Sequence, residues 1–214
     1  MTNNPVFDPL TSLRNRIHAM HTLWQSAASD MNARQVNHRF RKGLLPMAFS
    51  FTHYMICEDG FVSWYLLGHE SLWAREQWQE KVRPAIPVSA TPSWKAAESF
   101  PPVVEGSAWV EVPVEVMQNQ QIGSWDAWKE YQTKVVGQTM VALEQVTLEE
   151  LLKPLAPRLP EAWRHSYIAR LMGNGEGPLR LLDYLEGGVY AHGLRHIGEV
   201  EYGRSLVGLS GLTM

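Results

Sequence analysis

Four long stretches of this chain place apolar side chains every three or four residues, and that period limits the fold more than any other feature. In the first, Leu10, Leu13, Ile17, Met20 and Trp24 share one helical face, the seam spacing of a packed bundle. Asp8 stands where an N-cap is wanted and Pro9 where a first helical residue goes. The second stretch, LLPMAFSFTHYMICEDGFVSWYLLG, begins near Leu44, tolerates Pro46 in its first turn and reaches about Leu67, with Gly60 as its weak point. The third runs from a Ser124 cap to about Gln145, with Trp125, Trp128, Tyr131, Val135 and Leu143 on its apolar side. The fourth starts near Pro178 and runs to about Gly208. Four such segments predict an all-α fold, a four-helix bundle.

The material between them is less regular. Asp30 to Gly43 is polar and basic (Arg34, Arg39, Arg41, Lys42) and reads as a solvated connection with at most one short helix. HESLWAREQWQEKV reads as a polar, Trp-containing helix after the second long one. Arg83 to Gly123 holds six of the thirteen prolines and must be largely irregular. Within it Val110 to Val116 alternates strictly, but Pro113 confines it to an edge or to no strand at all. Thr147 and Glu150 have capping-box spacing and open a short helix. PEAWRHSYIARLM suggests another, and GNGEGP is a loop. At 214 residues, without an internal repeat, the chain reads as a single domain over 1–214.

Composition narrows the partners. A net charge of −3 with no basic groove argues against nucleic acid. No apolar run approaches the roughly 18 residues of a membrane span, and the N-terminus lacks a signal-peptide pattern, so no membrane partner is expected. Cys57 is the single cysteine, which forbids an intrachain disulfide and favours a cytoplasmic setting. A bound metal must therefore rest on histidine and oxygen, and a small-molecule substrate is the expected partner.

Two of the four helical stripes carry imidazoles. His192 and His196 are four residues apart, so their side chains leave the fourth helix in nearly the same direction. Their stripe continues through Leu185, Val189, Glu199, Gly203 and Leu206. Burying such groups unpaired costs several kcal/mol, and a metal ion is one good partner. The other reading of the pair is two surface or hydrogen-bonded core histidines. His53 lies in the second helix among Phe49, Ile56, Cys57, Trp64 and Leu67, again on a bundle-facing stripe. Three imidazoles from two helices can make one face of a coordination sphere with positions left open, the catalytic arrangement.

With SFTHYMICED around His53 and AHGLRHIGEVEYGRSLVGLSG around His192 and His196, the chain resembles the DinB-like (DinB/YfiT-like) metal-binding four-helix bundles. One histidine in the second helix and HxxxHxG in the fourth is that family's pattern; Glu199 stands where it usually has Gln. The Pro-rich segment after the second helix and the short helices between the third and fourth look like enlarged connections. The resemblance implies an up-down-down-up bundle, a homodimer, and His53, His192 and His196 holding a divalent metal, commonly zinc or nickel. It also implies the chemistry of characterised relatives: thiol-dependent S-transfer or isomerisation with a low-molecular-weight thiol, or amide hydrolysis. Many members have no known reaction, so a non-catalytic stress-response protein with a structural metal is the other reading.

Glu199, one turn beyond His196, has several readings: orienting a ligand imidazole, acting as a base, serving as a fourth ligand, or pairing with Arg195. Cys57 faces as His53 does, as a ligand, a nucleophile or a small apolar core residue. Glu58 and Asp59 lie off the stripe or beyond it. Gly187, Gly188 and Gly193 read either as close approach of a neighbouring helix or ligand, or as a kink or later helix start. His18, His21, His38, His69 and His165 are mostly expected at the surface. The nine tryptophans are expected to pack, with Trp94 and Trp109 as alternatives for a pocket wall.

Overall fold

In the computed structural model, residues 8–88, 117–156 and 177–212 are described. The chain is an all-α bundle. Helix α1 spans Pro9–Ser29, α2 Ala33–Val36 and α3 Met47–Phe61, the last continuing into a π-helical turn, Val62–Leu66. Two short helices follow, α4 (Leu72–Arg75) and α5 (Trp78–Val82). Then come α6 (Trp125–Gln145), α7 (Leu148–Leu152), and the strands β1 (Pro154–Ala156) and β2 (Leu179–Arg180). The last element is composite: α8 (Leu181–Tyr184), a π-helical stretch Leu185–Ala191, and α9 (His192–Leu206). Helices α1 and α3 each pack against both α6 and α9, so the long helices enclose one core. None of the described helices is long and apolar enough to cross a membrane.

The expected caps are in place. Asp8 accepts from Leu10 N at 3.1 Å and Thr11 N at 3.2 Å, Ser124 caps α6, and Thr147 with Glu150 forms the capping box of α7. The α1 stripe is buried throughout, each large side chain contributing about 1.5–3 kcal/mol. Trp24 stacks on Tyr54 (centroids 4.9 Å, 9° between planes) and meets Phe51 edge-on, while Trp73, Trp78, Trp128 and Tyr131 form a second aromatic cluster between α4, α5 and α6. These tryptophans are packing residues, as expected.

Several boundaries differ from expectation. Helix α3 starts at Met47, not Leu44: Pro46 is extended (ψ 154°) and serves as the N-cap residue. The helix does not weaken at Gly60, which is buried inside it; the irregularity is the wide turn from Val62. The polar stretch after it divides in two because Gln77 adopts a left-handed conformation (φ 57°). The last helical element begins at Leu181, because Leu179–Arg180 pairs antiparallel with β1, a ladder with no alternating pattern to announce it. The ends of the Pro-rich segment bind each other, Ala85 N to Gln121 O at 2.9 Å and Ser124 N to Val82 O at 2.8 Å. Its middle, with Val110 to Val116, Trp94 and Trp109, lies outside the described residues, as do PEAWRHSYIARLM, Trp163 and His165.

Of the three glycines singled out near the histidines, Gly193 has the clearest reason. A side chain there would overlap Met20 Sδ and stand 2.8 Å from the Tyr54 ring and hydroxyl, so the α9 backbone lies directly against side chains of α1 and α3. Gly193→Ala is therefore expected to cost about 1–3 kcal/mol by overpacking, read as a lowered denaturation midpoint. Gly187 and Gly188 fall in the π-helical stretch.

Candidate metal centre

His53 projects from the middle of α3, and His192 and His196 from the first turns of α9, the two elements in closest mutual contact. Their ring nitrogens converge. His192 Nε2 is 3.2 Å from His53 Nε2 and 3.0 Å from His196 Nε2, and the three donor atoms lie within 4.8 Å of one another. His192 and His196 are buried and His53 is half-buried. Phe49 stacks on His53 at 5.2 Å and meets His196 edge-on at 6.5 Å; Tyr54 meets His192 edge-on at 5.6 Å.

The opposite edges of the two α9 rings are tied back to protein. His196 Nδ1 lies 2.6 Å from Glu199 Oε2, and this carboxylate also accepts from Ser50 Oγ at 2.8 Å. A carboxylate this close requires a proton on Nδ1, and in the neutral ring that leaves Nε2 as a bare lone pair. The π-helical stretch sets the other ring. His192 N–H bonds to Gly187, five residues back, and to Val189, while its imidazole bonds to the Gly188 backbone. Its Nε2 faces the other two imidazoles.

Electrostatics favours the neutral form of His53 and His192. Burial pushes His53 well below the usual histidine range, with His192 and His196 adding to the shift. Burial, then His196, lowers His192 to about 3. Burial alone would raise Glu199, but the bond from His196, the charge of that ring and the Ser50 hydroxyl outweigh it and hold the carboxyl down.

The His192 and His196 Nε2 atoms thus face each other across 3.0 Å, a pair that can share a hydrogen bond or hold a cation between them. The spacing suits one: two nitrogens each about 2.0–2.1 Å from one ion are about 2.8–3.4 Å apart when the angle lies between square and tetrahedral. The donor set, three imidazoles without a thiolate, suits zinc, nickel, copper or iron.

Glu199 is not aimed at the centre. It occupies the far edge of His196, and Arg195 Nε is 3.5 Å from its other oxygen, so the orienting role and the ion pair hold together. Cys57 is half-buried, its Sγ 4.0 Å from His53 Nδ1, and burial pushes its thiol up to about 12, so it packs as an inert thiol. Leu206, placed on the histidine stripe by its spacing, is exposed.

His18 and His38 are exposed as expected, whereas His21 is buried against Glu58, its Nε2 2.8 Å from Oε1. Glu58 and Asp59, set aside in the sequence, are both fully buried. The signal was available: two adjacent carboxylates inside an apolar helix cannot both reach solvent. Ser50 was also missed, although it lies three residues before His53 and so on nearly the same face.

No protein-family model matches the chain, and no curated protein matches it in sequence. In three dimensions it is similar to a solved structure described as the conserved protein of locus from Enterococcus faecalis, with a TM-score of 0.67 and 15% identity over 94% of this chain and 98% of that one. At that identity the likeness is one of fold.

Proposed function

We propose that His53, His192 and His196 hold a divalent metal, zinc or nickel, in a DinB-like bundle, and that the centre serves thiol-dependent S-transfer or isomerisation of a small electrophile. The observation that carries the reading is the convergence of three Nε2 atoms from two helices, with two of the three rings held from behind. The ion would supply Lewis acidity, bringing a coordinated low-molecular-weight thiol into the working pH range. The protein's own contribution is threefold. Glu199 fixes the tautomer of His196, the Gly188 backbone holds the His192 ring, and Phe49 and Tyr54 wall the rings with apolar surface.

Because Glu199 stands behind His196 rather than beside the other two imidazoles, the protein set described is three ligands. That supports open positions over a closed structural site. Metal quantified in tag-free protein is expected at about one ion per chain, the stoichiometry of a three-histidine site. His192→Ala is expected to abolish stoichiometric uptake. Protein that carries no metal, or a His192→Ala variant that takes it up as well as wild type, defeats the reading. A screen of small thiols against electrophiles then tests the chemistry: turnover that requires the thiol supports transfer, and ester or amide cleavage without thiol supports hydrolysis.

A further inference from the structure

We propose that Ser50 is a positioning residue for this centre, acting on His196 through Glu199; its bearing on metal affinity rests on the three histidines being the metal site. Glu199 is drawn in two directions. Its Oε1 faces Arg195 on the half-exposed side of α9, and its Oε2 faces His196. A surface ion pair at that distance holds a glutamate with several soft torsions only weakly, so the orientation of Glu199 rests on the bonds at Oε2. Ser50 supplies the second hold. Its hydroxyl is buried, comes from α3 rather than α9, and donates at 2.8 Å to the same Oε2 that receives His196 Nδ1 at 2.6 Å.

The effect reaches beyond one side chain. Ser50 precedes His53 by three residues on the same helix, so α3 carries both a ligand and the group that secures the orienter of another ligand. The chain Ser50–Glu199–His196 therefore fixes the ring that α9 contributes relative to the helix that contributes His53. An apolar residue at 50 would leave Oε2 with the imidazole alone and widen the range of carboxylate orientations. The His196 proton would then be shared between its two nitrogens, and the inward lone pair would be lost part of the time.

The test uses the full chain in two states. In metal-free protein, long-range proton–nitrogen NMR of the imidazoles is expected to show His196 protonated at Nδ1. Ser50→Ala should give a mixed tautomer, and Ser50→Thr, which keeps a hydroxyl, should restore the single one. In chelator competition with zinc or cobalt, Ser50→Ala is expected to weaken binding about three- to tenfold, less than the roughly 10–100-fold of groups that touch a ligand directly. In a Glu199→Ala background the same change should have no further effect. An unchanged tautomer in Ser50→Ala overturns the proposal, and so does an affinity loss of equal size with and without Glu199, which would mark a purely structural role. Wild-type protein that shows the Ser50-dependent tautomer but binds no metal overturns the metal reading instead.

Discussion

Glu58→Ala is expected to destabilise the fold by about 3–5 kcal/mol, the cost of stripping two buried donors of their acceptor and opening a cavity. Glu58 Oε1 lies 2.8 Å from His21 Nε2 and accepts from Thr139 Oγ1 at 2.6 Å, so the carboxylate joins α1, α3 and α6 in the interior. Both side chains of the pair are fully enclosed. Removing the carboxylate strands His21 and Thr139 and leaves a cavity. Glu58→Gln, which keeps shape and acceptor, should cost only about 1–2 kcal/mol. A double replacement of His21 and Glu58 by leucine should recover much of the loss, because the desolvation penalty disappears with both groups. Urea unfolding of the four proteins checks this. If Glu58→Ala shifts the midpoint no more than Glu58→Gln, the carboxylate's bonds to His21 and Thr139 do not hold the interior together.

The same carboxyl makes stability depend on acid. Burial alone would raise Glu58, but the His21 charge and the bonds from His21 and Thr139 outweigh it and hold the folded-state value below the ordinary 4.5. A depressed carboxyl contributes stability that is whole above its unfolded-state value and is lost as pH falls through the folded-state one. The difference in unfolding free energy between wild type and Glu58→Gln should therefore be constant above about pH 5 and shrink below about pH 4.5.

Asp59→Ala is expected to cost at least about 3 kcal/mol, for a different reason: its donors are backbone and hydroxyl groups that cannot follow it out of the core. Leu72 N and Ser63 Oγ donate to Oδ1 at 3.0 and 2.9 Å, and Trp73 N and Tyr131 Oη donate to Oδ2, both at 2.9 Å. The carboxylate thus pins the start of α4 to α3 and α6. Its loss should expose the Leu72 and Trp73 amides to hydrogen exchange well before global unfolding, with the rest of the core exchanging as in wild type. Equal protection of these amides in the variant would show that the aromatic cluster alone holds the segment. Here burial outweighs the donors and lifts the carboxyl above its usual range. The pH sign is therefore opposite to that of Glu58: the contribution is whole below the unfolded-state value and declines as pH rises through the raised one.

The helical framework was legible in the chain because each long helix buries one stripe, and a stripe has a period that survives in one dimension. Leu10, Leu13, Ile17, Met20 and Trp24 needed only their spacing and the Asp8 cap to place α1. The same reasoning brought His53, His192 and His196 to inward faces, since an imidazole four residues from another on an apolar stripe has one direction to point. The three-histidine cluster of the folded chain agrees with that placement. What periodicity could not supply was anything depending on which atoms of different helices meet. The π-helical stretch before His192 contains Gly187 and Gly188, which the sequence offers as a kink, but the wide register itself is set by the backbone bonds. The roles of Ser50, Glu58 and Asp59 depend on hydrogen bonds between residues 13 to 149 positions apart. A polar side chain on a buried helix announces that it needs a partner; only the packing of α1, α3, α6 and α9 decides which partner it has.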